Sequence, residues 1–282
     1  MISSALYLGG EMDFEDLTLS GEVDTSGAGY GVKVLRGPRP GWAPSDIDAR
    51  MIAGRHGGTA GAAWYQRLQL DFTLLLTGTT HADAQDKMDL FRRLLSRDRA
   101  APRTLRWGLS NMGDRFWLAQ HEAIDAPEEV GLSRRFRASF VSADPRAWGI
   151  DRVTQVKSIT ANPTTFNAPD EGFVAGTADT EPIWIIEAGA GGAASVELEN
   201  ETTGQIVNYG AALNDGDQIR IDAGLRRIVE KSTDGGTTWA SAMGDVTITQ
   251  RMPLLWAGVQ NELKVSGIGA GTVTAVYRAR YW

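Results

Sequence analysis

The clearest hydrophobic pattern along the chain is an alternation within residues 64–78. One face carries Leu68, Leu70, Phe72, Leu74 and Leu76, and the opposite face carries Arg67, Gln69, Asp71 and Thr73. Successive side chains of a strand point to opposite faces, so a period of two predicts one long β-strand over residues 64–78 with one buried face.

The hydrophobic period becomes helical after residue 78. Thr80 is placed to cap a helix, Asp83 falls in its first turn and Pro102 ends it. The buried stripe of this predicted helix is formed by Ala84, Met88, Phe91 and Leu95. Four arginines crowd its end, at Arg92, Arg93, Arg97 and Arg99. The helix dipole favours cations there, so we interpret them as a solvated helix end, with an anion or partner site as the alternative.

The rest of the chain reads as strands separated by turns. Strand patterns return after the helix, and the last of them is stopped abruptly by Asp144-Pro145. Residues 151–180 are rich in Thr, Asn, Pro and Gly and are predicted to be a linker. From Ile183 onward, short strand patterns recur with Gly or Asn-Asp turns between them, which is typical of a β-sandwich. The prediction is a mainly β protein with one helix in residues 1–150 and a sandwich in residues 181–282.

Composition and charge exclude several classes of protein. The net charge is −7, and residues 1–150 hold nearly equal numbers of acidic and basic residues, so the chain lacks the basic footprint of a nucleic-acid binder. It has no cysteine, which excludes disulfides and thiolate chemistry. The first residues lack the pattern of a secretion signal and no apolar run reaches membrane-spanning length. These features predict a soluble, unexported protein with no membrane partner.

The sequence offers little catalytic or ligand chemistry. The three histidines, His56, His81 and His121, are far apart and lack the spacing of a helical zinc site. The glycine-rich stretches do not lead from a strand into a helix, which a phosphate-binding loop requires. We therefore predict no catalytic residue, no metal site and no cofactor.

One local motif is more specific than these. The stretch STDGGTTW, residues 232–239, fits the S-x-D-x-G-x-T-W pattern of the Asp box, which repeats once per blade in sialidase propellers. Here it occurs once. Its Asp and glycines predict a well-formed hairpin turn with the Trp packed beneath it. The alternative is a glycan-facing role in which Trp239 stacks on sugar.

The order of these elements resembles the distal tail proteins of long-tailed siphophages, over nearly the whole chain. The segments that carry the resemblance are residues 137–148 with their D-P-R-x-W ending, residues 180–186, residues 252–256 (MPLLW) with Asn261, and residues 277–282 (YRARYW). Two features depart from the family pattern, namely the long linker and the glycine-rich run within residues 188–193.

The resemblance implies both architecture and function. It implies a split β-sandwich or barrel with one helix as the ring-forming belt domain, residues 1–150, then the linker and a galectin-like, jelly-roll type sandwich. Such proteins form a homo-oligomeric ring, usually a hexamer, at the virion tail tip after assembly in the host cytoplasm. The implied partners are the tail-tube protein, the tail-tip hub protein, the tape-measure protein and receptor-binding proteins, with DNA passing through the lumen without specific binding.

Two hypotheses from different classes follow. The first is a structural hub without catalysis, whose candidate subunit contacts are Trp64, Leu68, Leu70, Phe72, Trp107 and Trp117. The second is a glycan-active module, either a lectin-like binder contacting sugar through Trp239 or, less well supported, a glycosidase. A glycosidase needs two positioned carboxylates, and the sequence contains no pattern that marks two of its carboxylates as a catalytic pair.

Overall fold

The computed structural model describes residues 6–9, 17–18, 32–36, 45–51, 58–65, 67–96, 103–107, 115–224, 227–249 and 251–281. The chain divides into two compact units, Met1–Trp148 (unit 1) and Gly149–Tyr281 (unit 2). The described strands of each unit pair in antiparallel ladders.

Unit 1 contains ten strands and one helix among its described residues. These are β1 (Leu6–Gly9), β2 (Leu17–Thr18), β3 (Val32–Arg36), β4 (Ser45–Met51), β5 (Gly58–Tyr65), β6 (Leu68–Thr77), α1 (His81–Ser96), β7 (Arg103–Trp107), β8 (Arg115–Ile124), β9 (Glu128–Val130) and β10 (Ser133–Ser142). The main sheet has the order β8-β10-β6-β3, and β7, β1 and β2 extend it beyond β8. β9 pairs with β10, and β4 with β5 forms a separate hairpin.

The predicted alternation is present in β6. On its inward face, Leu70, Phe72, Leu74 and Leu76 are buried and Leu68 is half-buried. The prediction of one strand over residues 64–78 was too long, because its first residues, Trp64 and Tyr65, end strand β5. The alternation itself starts at Leu68, where β6 begins, because residues 64–67 (WYQR) are two aromatic residues followed by two polar ones.

Helix α1 forms where the sequence predicts it. The Asp83 N–H donates to Thr80 Oγ1 at 3.1 Å, which is the expected N-cap bond. Asp83 in turn accepts from the Thr79 N–H at 2.6 Å. Ala84, Met88 and Phe91 are fully buried, and Phe91 meets Phe136 of β10 edge to face at 5.3 Å. The predicted stripe is therefore confirmed as far as Phe91, while the side chain of Leu95 lies outside the described residues.

Unit 2 holds the remaining elements, although β11 begins in the last two residues of unit 1. They are β11 (Ala147–Ile159), β12 (Thr164–Ala168), β13 (Ile183–Ala188), β14 (Ala193–Asn200), β15 (Gln205–Tyr209), β16 (Gln218–Asp222), β17 (Ile228–Ser232), β18 (Ala240–Ser241), a 3₁₀ turn (Met243–Asp245), β19 (Val246–Thr249), β20 (Asn261–Ile268) and β21 (Gly271–Tyr281).

Two sheets of unit 2 share one core. The first has the order β18-β17-β16-β13-β21-β11 and the second β12-β20-β14-β15-β19. Buried residues of both sheets form a single apolar cluster, including Trp184 and Ile221 from the first and Leu198 and Leu263 from the second. Alternate residues of β13, β15 and β16 point into this cluster, so unit 2 is the predicted β-sandwich.

The structure differs from the sequence prediction at residues 151–180. We expected a linker there, but this stretch contains most of β11 and all of β12, and it belongs to unit 2. Residues 151–154 of β11 are exposed, so the strand carries no apolar alternation that the sequence could show. Backbone pairing holds these strands, since β12 is bonded along its whole length to β20.

The predicted fold class, a mainly β protein with one helix followed by a β-sandwich, is confirmed in the described residues. In the same part of the chain, no helix has the length and apolar character needed to cross a membrane.

Candidate functional site

The predicted Asp box joins β17 to β18 in unit 2. β18 pairs with β17 through only two residue pairs, Glu230 with Ser241 and Lys231 with Ala240. Gly235 and Gly236 have φ angles of +69° and +87°, in the left-handed region that only glycine occupies at little cost. The motif is therefore the hairpin turn that its sequence predicts.

Asp234 holds this turn together. Its Oδ1 accepts hydrogen bonds from Ser232 Oγ at 2.7 Å, the Thr237 N–H at 3.0 Å and the Thr238 N–H at 2.8 Å. Its Oδ2 accepts from Thr238 Oγ1 at 2.6 Å. The hydrogen bonds from Thr238 and then Ser232 lower the pKa of Asp234 to about 2, because they stabilise the ionised form. A carboxylate occupied in this way is suited to holding a turn and is a poor proton donor at neutral pH.

Trp239 is fixed from two sides. Its indole N–H donates to the Gly236 carbonyl at 3.0 Å. The guanidinium carbon of Arg220 lies 4.4 Å from the centre of the indole ring, a cation–π contact. Arg220 is itself oriented by Glu230, since Nε donates to Oε2 at 2.9 Å. The ring orientation is thus set before any partner arrives.

The half-buried Trp239 lines an open depression on the surface of unit 2. The other lining residues are Tyr209, Lys231, Thr233, Thr238, Ala240, Ser241, Ala242 and Asp245. The ammonium group of Lys231 is engaged within the protein, since Nζ contacts Asp217 Oδ2 at 2.8 Å and donates to the Ala212 carbonyl at 3.0 Å. Tyr209 is buried, and this burial raises the pKa of its phenol.

A second polar group, made of buried amides, was not predicted from the sequence. Asn200 and Asn261 are fully buried, and Asn200 Nδ2 donates to Asn261 Oδ1 at 3.2 Å and to the Leu254 carbonyl at 2.5 Å. Gln205 Oε1 accepts from the Leu254 N–H at 2.7 Å. Asparagine is disfavoured inside strands. Its occurrence at the end of β14 and the start of β20 is therefore the sequence feature that could have indicated buried amides.

These amides explain the MPLLW segment, residues 252–256. The Trp256 N–H donates to Asn261 Oδ1 at 2.9 Å, and Asn261 Nδ2 returns a bond to the Trp256 carbonyl at 3.2 Å. The Trp184 indole N–H donates to the Pro253 carbonyl at 3.1 Å. The segment is thus an irregular stretch in which side chains of the sandwich core bond the backbone of Pro253, Leu254 and Trp256, while Leu255 pairs with the backbone of Thr180.

The abrupt strand end at Asp144-Pro145 also has a structural basis. The backbone N–H of Arg146 donates to Asp144 Oδ1 at 3.0 Å, and Arg146 Nη2 pairs with Asp144 Oδ2 at 2.9 Å. Ser142 Oγ donates to the Asp144 carbonyl at 2.6 Å, and the Trp117 indole N–H to the Pro145 carbonyl at 3.3 Å. Side chains therefore fix the corner that ends β10.

The residues predicted as subunit contacts have different positions in unit 1. Leu70, Phe72 and Trp117 are buried in its core and Leu68 is half-buried. Trp64 and Trp107 lie in the paired strands β5 and β7, and their side chains are outside the described set. A single chain does not test subunit contacts, so their role in a ring stays a prediction.

No known family model matches this chain, and no curated protein sequence does. The fold is nevertheless shared with solved structures of phage proteins. It matches the crystal structure of the SPP1 Dit (gp 19.1) protein, described as a paradigm of the hub adsorption apparatus in phages infecting Gram-positive bacteria. The TM-score is 0.69 at 17% identity, and the match covers 99% of each chain.

Two further matches come from the phage p2 baseplate in its activated conformation. The structure with calcium gives a TM-score of 0.50 at 10% identity, and the structure with strontium 0.50 at 11%. Each match covers 98% of both chains. The likeness confirms at the level of fold the resemblance drawn from residues 137–148, 180–186 and 252–256.

Proposed function

We propose that this chain is a structural hub protein of the distal tail of a long-tailed phage. The observation that carries the proposal is the fold match to SPP1 Dit over 99% of both chains. A match of this length includes both units, so it supports a role that uses the whole protein rather than one module. The protein would reside at the virion tail tip and act by assembly with other tail proteins, without catalysis.

The assembly we propose is a homo-oligomeric ring, a hexamer, that joins the tail tube to the tail-tip hub. The tape-measure and receptor-binding proteins are its further neighbours. The charge distribution supports a conduit for DNA. The near-neutral residues 1–150 and the net charge of −7 give little attraction for phosphate, so DNA can slide through without being held.

We place a ring contact at the β9–β10 hairpin of unit 1. Val130 and Leu132 flank its tip and are 49% and 42% exposed. The hairpin is held below the tip by Arg134, which is almost fully buried and pairs with Glu129 at 2.9 Å. Exposed apolar side chains on a fixed hairpin suit a head-to-tail contact with a second copy, since ring closure buries different surfaces of each subunit.

The proposal is tested by mass photometry and negative-stain electron microscopy of the purified chain, alone and with tail-tube protein. We expect a closed ring, and we expect Val130→Asp with Leu132→Asp to shift it to monomers without loss of secondary structure. Phe173→Asp, which alters an exposed apolar residue of unit 2, is the matched control and should leave the ring intact. A wild-type chain that stays monomeric under both conditions would overturn the hub assignment.

A further inference from the structure

We propose that the depression beside Trp239 in unit 2 binds an uncharged saccharide. This site is distinct from the ring contacts of unit 1 and does not depend on the hub assignment. It combines an oriented aromatic ring with several hydroxyl groups and one carboxylate in a concave surface, and small-ligand sites commonly combine apolar surface with a few convergent polar groups.

The aromatic surface comes from Trp239. The bond from its indole N–H to Gly236 and the contact with Arg220 at 4.4 Å fix the plane of the ring. A ring held in place loses little rotational freedom when a ligand packs on it. Binding therefore costs little side-chain entropy at this residue. The apolar C–H face of a pyranose matches such a surface.

The polar groups of the depression match sugar hydroxyls. Thr233 and Ser241 are exposed and can both donate and accept hydrogen bonds. The exposed carboxylate of Asp245 accepts them. Donors and acceptors therefore line the same depression as the ring, as a ligand with several hydroxyl groups requires.

The charges select a neutral ligand over an anionic one. Arg220 is bonded to Glu230, and Lys231 is bonded to Asp217 and to the Ala212 carbonyl. Both cations are therefore compensated within the protein, while Asp245 adds negative charge to the lining. A sialic acid or a phosphate would meet repulsion here, so the Asp box in this chain does not imply a sialic acid ligand.

The test is saturation-transfer difference NMR on the full chain with the methyl glycosides of glucose, galactose and N-acetylglucosamine. N-acetylneuraminic acid and methyl phosphate, whose carbon-bound protons report transfer, are the anionic probes. We expect transfer to at least one neutral glycoside, with millimolar affinity. Ser241→Trp fills the depression without touching the Asp234 hydrogen bonds, and it should weaken that affinity by about tenfold or more.

Ser158→Trp provides the matched control, since Ser158 is an exposed strand residue of unit 2 outside the depression. It should bind the glycoside as the wild type does. Trp239→Ala should also abolish transfer, and circular dichroism reports whether unit 2 remains folded in that variant. Transfer to none of the neutral glycosides, transfer only to the anionic probes, or equal binding by Ser241→Trp would each overturn the proposal. None of these outcomes affects the test of ring assembly, so the two proposals can fail independently.

Discussion

The two units bury their interiors by different means. In unit 1, the described core is built from apolar side chains such as Leu74, Phe91 and Phe140, whose packing is non-directional. The apolar cluster of unit 2 also contains aliphatic and aromatic side chains, but unit 2 adds the buried amides Asn200 and Asn261. A buried amide is costly unless each of its polar atoms finds a partner. Unit 2 therefore fixes the path of an irregular segment with fully buried amides, whereas the described part of unit 1 holds its Asp144-Pro145 corner with hydroxyl, indole and guanidinium groups.

This difference predicts that the units respond differently to loss of a side chain. Removing an apolar side chain leaves a cavity, and neighbouring residues can relax into part of it. Removing an amide leaves backbone N–H and carbonyl groups without partners, and relaxation does not replace them.

The largest effect is expected from Trp184→Ala. This fully buried side chain of β13 fills the core of unit 2 and also donates to Pro253. Its loss should lower the free energy of unfolding of unit 2 by about 3–5 kcal/mol. Hydrogen exchange followed by mass spectrometry should show faster exchange in β13 and β16, with β6 and β10 unchanged.

Phe72→Ala is the mirror experiment in unit 1, with the same expected cost of about 3–5 kcal/mol. Phe72 is fully buried and contacts Phe140 edge to face. It should accelerate exchange in β6 and β10 and spare β13. If either variant accelerates exchange equally in both units, the units do not have independent cores and the comparison fails.

The next effect is expected from Asn261→Ala, which removes partners from the Trp256 N–H and carbonyl and from Asn200. We expect a loss of about 2–3 kcal/mol in urea denaturation. Asn208→Ala is the matched control, because its amide is only half-buried and donates to Glu197 at 3.3 Å. Similar losses in the two variants would show that burial of the amide does not determine how much it contributes to the free energy of unfolding.

A smaller effect is expected from Asp71→Asn in unit 1. Burial raises the pKa of Asp71, but hydrogen bonds from Arg137 and Ser139 outweigh it and lower the pKa overall. The pair with Arg137 is half exposed, so we expect a loss of about 1 kcal/mol or less at neutral pH. This contribution is present above the unfolded pKa and disappears as pH falls through the lower folded value. Acid titration of stability should therefore be flatter in the variant; an unchanged slope would contradict the assignment.

The smallest effect is confined to the Asp-box hairpin. The pKa of Asp234 is lowered to about 2, so its ionised form stabilises the turn above the unfolded value of about 4. That contribution should be lost as pH falls from about 4 towards 2. Amide exchange at Thr237 and Thr238, corrected for the intrinsic pH dependence, should report it. Asp234→Asn should remove the pH dependence of protection, and persistence of that dependence would assign it to another group.

Much of unit 1 could be predicted because its elements carry regular hydrophobic periods. The alternation in β6 and the cap and stripe of α1 are local signals, and the structure contains them. β11 was missed because its residues 151–154 are exposed and show no apolar period, and β12 because it is only five residues long and is held by pairing with β20. The amide cluster of unit 2 was missed because the bonds that join Asn200 to Asn261 and both Asn200 and Gln205 to Leu254 span about fifty or more residues, a separation that no local pattern reports. Trp239 was identified because its whole motif lies within eight consecutive residues.

The position of β21 in the sheet sets the order in which the strands of unit 2 can pair during folding. β13 pairs with β16 on one side, but its other neighbour is β21, so that Ile183 must meet Val276. The β16–β17 ladder joins near neighbours in the chain and can form early, whereas the central pair needs a long-range encounter. Until then, β13 presents an unpaired, isoleucine-rich edge that other chains can join. Misassembly during synthesis should therefore begin at residues 183–188.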